Sequence, residues 1–221
     1  SYAFSAGDDT LYMHLFISGD VCAALAHTEV RLSVESEYPW DGRIRLAVHT
    51  PGQYGIAVRI PGWCRGYELK VNGESVPSEP VSGYIELNRL WRENDIVGLD
   101  LEMPVLLMRA NPAVREDAGK LCVVRGPLVY CLEEADNGSG LHLLRLPLNT
   151  VFEVRDEPQL LGGIRTIRCR AFRESRSFAE GQLYAPACRA DETAETQLTF
   201  IPYFAWANRA PGEMAVWIRE I

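Results

Sequence analysis

The stretch Asp95-Ile96-Val97-Gly98-Leu99-Asp100-Leu101-Glu102-Met103-Pro104-Val105-Leu106-Leu107-Met108-Arg109-Ala110-Asn111-Pro112-Ala113-Val114-Arg115 decides how this chain is read. Its first part alternates apolar and polar residues, with Ile96, Leu99, Leu101 and Met103 among the apolar positions, the pattern of a half-buried strand. Pro104 interrupts that strand, because proline has no N–H to give a ladder. A second apolar run, Val105 to Met108, leads into the turn signal Asn111-Pro112. The stretch reads as the exit from one β domain and the entry to another.

Upstream of it, apolar runs recur every 8–12 residues or so with turn signals between them, which marks a β-sandwich or barrel. Val30, Leu32 and Val34 alternate with Arg31, Ser33 and Glu35, as in an antiparallel strand with one wet face. Ile44, Leu46 and Val48 repeat the period after the hairpin signal Asp41-Gly42, and Ile56, Val58 and Ile60 follow Pro51-Gly52. Asn72-Gly73 is a type I′ hairpin dipeptide, needing φ > 0 at both positions. Thr10–Ser18 is apolar on both faces, as for a strand covered on two sides.

Downstream, Lys120–Val124, Leu128–Leu132, Leu141–Leu148, Val151–Val154, Ile164–Phe172 and Leu198–Ile201 read as strands, and Glu174–Glu195 as a long polar surface excursion. No helix of about twelve residues or more is convincing before Leu107. The fold class is all-β, and 221 residues accommodate two domains of about 110 each. A last strand, Met214 to Ile218, follows Ala210-Pro211-Gly212. It either closes the second domain or crosses back to complete the first, and the pattern leaves both open.

A formal charge of −8 argues against nucleic acid or an anionic membrane as partner, since the field repels polyanions. No apolar run reaches the roughly 18 residues of a transmembrane helix. Ser1–Asp9 lacks the basic and apolar regions of a signal peptide and an initiator Met, which suggests a piece of something longer. Six cysteines, at 22, 64, 122, 131, 169 and 188, form no C-x-x-C pair and no zinc spacing. Several lie in apolar strand patterns and read as small core hydrophobes, which implies a reducing, cytoplasmic setting.

Candidate chemistry is thin. Asp8-Asp9, Glu116-Asp117 and Glu133-Glu134 are sequence neighbours that a strand would point to opposite faces, so they read as solvated charges rather than a shared acid and base. His14, His27, His49 and His142 are scattered, and the loop Asp136–Gly140 lacks the later acidic ligands of a calcium loop. The aromatics carry more. Trp40, Trp63 and Trp206 sit beside Pro, Gly, Asp or Asn at strand ends, where a Trp can plug the end of a core, dock a neighbouring domain or stack on a sugar. Trp40 with Asp41 is the pair expected to face a neighbouring domain.

Several motifs then occur in one order: Tyr38-Pro39-Trp40-Asp41-Gly42, Arg59-Ile60-Pro61-Gly62-Trp63-Cys64, Val71-Asn72-Gly73, Met103-Pro104-Val105, Ala110-Asn111-Pro112, Arg125–Glu133 and Pro202–Arg209. Together they resemble the C-terminal part of the β-L-arabinofuranosidases of glycoside hydrolase family 127, over essentially the whole chain. The resemblance implies two β-sandwich domains following an (α/α)6 catalytic barrel. Residues 1–107 with 212–221 would form the first sandwich, and 108–211 the second, inserted before the last strand of the first. It also implies a retaining mechanism, with a cysteine nucleophile beside a zinc ion, all on the barrel. No position here matches that motif, so no catalytic, cofactor-binding or metal-binding residue is assigned, and the chain alone is expected to be inactive. Its expected role is to support the barrel and to contribute to a homodimer. An autonomous carbohydrate-binding module is the alternative.

Overall fold

The structure, a computed structural model, describes residues 2–175, 182–184 and 192–221. The chain divides into two units, Ser1–Pro104 and Val105–Ile221. The division falls at the proline that ends the first ladder, three residues before the expected position 107.

Unit 1 holds ten strands: β1 (Phe4–Ala6), β2 (Thr10–Met13), β3 (Gly19–Ala24), β4 (Glu29–Ser36), β5 (Arg43–Val48), β6 (Gly52–Arg59), β7 (Tyr67–Val71), β8 (Glu74–Ser75), β9 (Tyr84–Trp91) and β10 (Ile96–Leu101). They form a four-stranded sheet, β1-β2-β6-β9, and a six-stranded sheet, β3-β4-β5-β10-β7-β8. Both sheets turn their apolar face to one core. Leu11, Met13, Ile56, Val58, Ile85 and Leu87 come from the first sheet, and Val30, Leu32, Val34, Ile44, Leu46, Val48, Val97, Leu99 and Leu101 from the second. The alternation in β4 and β5 is the one their sequence carries, because a period of two sends successive side chains to opposite faces.

The Asn72-Gly73 turn has φ of 52° and 84°, as a type I′ hairpin requires, and joins β7 to β8. Asn72 also reaches out of its own turn. Its Nδ2 donates to Asp95 Oδ1 at 2.8 Å, and its Oδ1 accepts the Ile96 N–H at 2.8 Å. Asp95 is buried and accepts the Arg92 N–H at 2.9 Å through its other oxygen. That backbone bond, then Asn72, hold its carboxyl below the ordinary value.

The reading of Thr10–Ser18 as one covered strand holds only as far as Met13. Beyond β2 no ladder fixes the period, so Phe16 turns into the core while Leu15 and Ile17 stay exposed.

Unit 2 contains β11 (Val105–Met108), β12 (Lys120–Arg125), β13 (Leu128–Glu133), the one-turn helix α1 (Glu134–Asn137), β14 (Leu144–Leu146), β15 (Phe152–Glu157), β16 (Ile164–Ser175), β17 (Glu192–Pro202), β18 (Met214–Ala215) and β19 (Trp217–Glu220). The expected second sandwich is instead one sheet that returns on itself. Pairing runs β12-β19-β14-β16-β17-β13, and β13 pairs again with β12 at Val124↔Val129 and Arg125↔Leu128. The result is a barrel. It encloses Leu121, Val123, Tyr130, Leu132, Leu144, Leu146, Ile167, Leu198 and Phe200.

The assignment of 212–221 to the first unit is corrected by the same pairing. β18 pairs with β13, and β19 lies between β12 (antiparallel) and β14 (parallel). The cause is Ile218, 2% exposed, whose inward side chain belongs to the unit 2 core. The polar excursion after Glu174 is shorter than expected, since the β16–β17 ladder continues to Ser175↔Glu192. Residues 176–181 and 185–191, which hold Pro186 and Cys188, lie outside the described residues.

Two outcomes follow. A Cβ on Gly42 would stand 2.0 Å from the Leu101 carbonyl oxygen, at the point where Leu101 N–H bonds Gly42 O. Gly42→Ala is expected to cost about 1–3 kcal/mol, the usual range for overpacking, measured by urea denaturation. Asp95, with its native carboxyl held below the ordinary aspartate value of 3.8, contributes stability that is present above about pH 4 and lost as pH falls through the lower native value. The Asp95→Asn variant, less stable throughout, is expected to lose less melting temperature than the parent between about pH 5 and 3.

Candidate functional site

The sequence-predicted residues fall into two groups, one on each unit. On unit 1, Trp63 packs against the core and stacks on Tyr38 at 6.4 Å, and Tyr38 meets Phe16 edge-on at 5.1 Å. Burial pushes the Tyr38 phenol up, with Trp63 opposing through a hydrogen bond. Trp63 thus plugs the end of the sandwich. Trp40 follows in the loop between β4 and β5, half-buried, its N–H donating to Glu37 O at 2.8 Å. Asp41 is turned back onto its own loop: Oδ1 accepts both the N–H and Nε–H of Arg43 at 2.9 Å, and Oδ2 accepts from Nη2 at 3.0 Å. A carboxylate engaged three times by its neighbour two residues on shapes the turn.

On unit 2, Trp206 belongs to an aromatic surface. Tyr203, Phe204 and Trp206 are 43%, 61% and 40% exposed, and the Tyr203 and Trp206 rings stack at 6.2 Å. What holds this segment is ionic. Glu133, at the end of β13, is buried, and its Oε1 accepts the Ala207 N–H at 2.8 Å. Arg209 Nε donates to Glu133 Oε2 at 3.0 Å and Nη1 to Asp136 Oδ1 at 2.8 Å, with Arg209 Nη2 closing on Glu133 as well. These bonds, that to Asp136 first, hold the guanidinium still more firmly charged than usual. Asn137 ties the same corner to β17, donating to Glu133 O at 2.9 Å and accepting the Thr199 N–H at 2.9 Å.

Glu133, Asp136 and Arg209 are the residues that sequence reasoning missed. Glu133 reads as one of a solvated pair and Asp136 as part of a plain loop. The available signal was a carboxylate ending an apolar strand and an arginine ending an aromatic run.

Cysteine chemistry is suppressed where the thiols are buried. Burial raises Cys122 and Cys169 to about 11 and Cys131 to about 12, so the nucleophilic thiolate is disfavoured at neutral pH. Cys22 departs from the core reading. It lies exposed on β3, an edge strand. Among the described residues no group of three or more His, Cys, Asp or Glu could hold a metal ion. His14 stands between Ser5 Oγ at 2.8 Å and Tyr84 OH at 2.7 Å, and His49 meets Ser33 Oγ at 2.9 Å. No helix among the described residues is long and apolar enough to cross a membrane.

A sandwich and a barrel, with an aromatic surface on the barrel, define a class of all-β region. Comparison with known proteins specifies which. Residues 10–103 match the β-L-arabinofuranosidase GH127 middle domain, and residues 105–219 the glycoside hydrolase family 127 C-terminal domain. The chain belongs to glycoside hydrolase family 127.

It is 36% identical to the non-reducing end β-L-arabinofuranosidase of Bifidobacterium longum subsp. longum, across 99% of this chain and 34% of that protein. The crystal structure of a GH127 β-L-arabinofuranosidase from Geobacillus stearothermophilus T6 superposes with a TM-score of 0.94 at 40% identity, over 100% of this chain and 35% of that one. A second GH127 β-arabinofuranosidase structure gives 0.89 at 32%, over 100% and 36%. The chain spans about a third of the length of the relatives it matches.

Removing one partner from a buried ion pair strands the other. Arg209→Ala is expected to cost about 3–5 kcal/mol, while Trp206→Ala, on an exposed ring, costs about 1 kcal/mol or less, both read from chemical denaturation.

Proposed function

We propose that this chain is the C-terminal, non-catalytic region of a longer family 127 glycosidase acting on β-L-arabinofuranosides. In this reading the catalytic machinery, a cysteine nucleophile and zinc on an (α/α)6 barrel, lies outside these residues. The observation that carries it is the tiling of the chain by the family's middle and C-terminal domains, in that order, over a third of the relatives' length. The zinc does not fit here: the described residues offer no set of three donors, and their buried thiols resist ionisation.

The role proposed for the two units is support of the barrel, with Tyr203, Phe204 and Trp206 as a contact surface. Large aromatic rings fixed in place by a buried ion pair lose little further freedom on docking, which favours association. A homodimer through these units is the secondary role.

The chain alone, with or without added zinc, is expected to release no p-nitrophenol from p-nitrophenyl β-L-arabinofuranoside, and turnover would overturn the reading. In a longer polypeptide that includes the barrel, Phe204→Asp is expected to lower the melting temperature by several degrees. The same change in the 221-residue chain should leave it nearly unmoved.

A further inference from the structure

A hollow of about 410 Å³ opens on unit 1 beside β1 and β3, but nothing about it selects an occupant. A second hollow, of about 620 Å³, lies on the outer side of unit 2, and its chemistry does select one. β16 pairs with β15 as far as Cys169 and with β14 from Phe172 onward. The segment 147–151 bridges those two strands, with Thr150 Oγ1 donating to Arg170 O at 2.8 Å, and outward side chains of β16 beside it wall the hollow. Arg168, Arg170 and Phe172 lie along that strand, with Gln197 on β17 opposite Arg170, and Thr150 and Glu153 on the far wall.

The charges around the hollow are balanced. Arg168 Nη2 meets Glu157 Oε1 at 3.0 Å, Arg170 meets Glu195 at 3.3 Å, and Glu153 meets Arg155 at 2.9 Å. Each guanidinium already has a carboxylate, so an anion would have to displace one. A neutral ligand would not. The lining also supplies donors and acceptors side by side: guanidinium N–H groups, the Gln197 amide, carboxylate oxygens and the Thr150 hydroxyl oxygen, whose proton goes to Arg170 O, next to the Phe172 ring. That combination suits adjacent hydroxyl groups on a ring with one apolar face.

One observation marks the wall as incomplete. Arg168 Nε is buried and has no hydrogen-bond partner, while the same guanidinium holds Glu157 through Nη2. Leaving a buried donor unmade is costly in the free protein. Its desolvation has already been incurred, so a hydroxyl oxygen that reaches it as the side chain adjusts gains a bond without that penalty.

We infer that this hollow is a saccharide subsite, in which Arg168 and Gln197 hydrogen-bond adjacent hydroxyls of a neutral sugar that rests on Phe172. It is independent of the barrel-support reading, which survives if the hollow binds nothing.

The test is titration of the ¹⁵N-labelled 221-residue chain with L-arabinose and with a linear arabinotriose, using sodium sulfate as the anion probe. Saturable shifts confined to residues 147–153, 168–172 and 195–197, with millimolar affinity for the trisaccharide, are the expected result. Arg168→Lys keeps the positive charge near Glu157 but lacks Nε, and Gln197→Ala removes the amide. Each is expected to weaken binding about tenfold, roughly 1.4 kcal/mol, with the melting temperature unchanged. Absence of saturable shifts, shifts centred elsewhere, sugar binding at parental strength in both variants, or sulfate displacing the sugar would each overturn the proposal.

Discussion

The backbone hydrogen bonds of β19 hold unit 2 together, to β12 on one side and β14 on the other. Take that strand away and two edges open at once, each a row of unmet amides and carbonyls. With it in place the sheet has no break between β12 and β13, and Ile218 fills the enclosed core. Closure also sets what lies on the barrel's outside. The segment Pro202–Arg209 leaves the end of β17 and crosses to Glu133 on β13, so the aromatic surface takes its position from two strands that the closed sheet keeps adjacent.

The two units solve the same burial problem in different ways. Unit 1 stacks two sheets on one core and leaves edge strands β1, β9, β3 and β8. Those edges are blunted by shortness at β1 and β8, of three and two residues. Unit 2 joins its strands in a ring instead. In unit 1 a polar network does what the ring does in unit 2: Asn72 and Asp95 bind the β7–β8 hairpin to the start of β10, so two distant turns fix one another.

What the residues disclosed, and what they withheld, follows from range. The alternation of Val30, Leu32 and Val34 fixes which face is buried because it depends only on the local period. Asn72-Gly73 discloses its turn because the left-handed backbone it needs is a property of those two residues. By contrast, the spacing of Met214, Val216 and Ile218 reads as one strand, whereas Val216 separates β18 from β19, Ala215 and Ile218 are the residues that pack inward, and no period tells which core receives them. The choice between sandwich and barrel rests on the pairing of β13 with β12, which no period encodes. Burial of Glu133 was equally hidden, since it depends on Arg209, 76 residues away. Of the tryptophans, Trp63 answered to the core and Trp206 to the surface, a difference made by Tyr38 and Phe16 rather than by the flanking prolines and glycines.

The place of β19 also orders events during synthesis. Among the described residues every ladder of unit 1 lies within the first 104 positions, so that sandwich can close while the ribosome is still making the rest. The ring cannot. Its gap between β12 and β14 stays open until residues 217–220 emerge from the exit tunnel, when nearly all of the unit has already been translated. For that interval the nascent chain carries a half-built sheet with two sticky margins. It is then that a chaperone, or an already finished neighbour, has the most to hold.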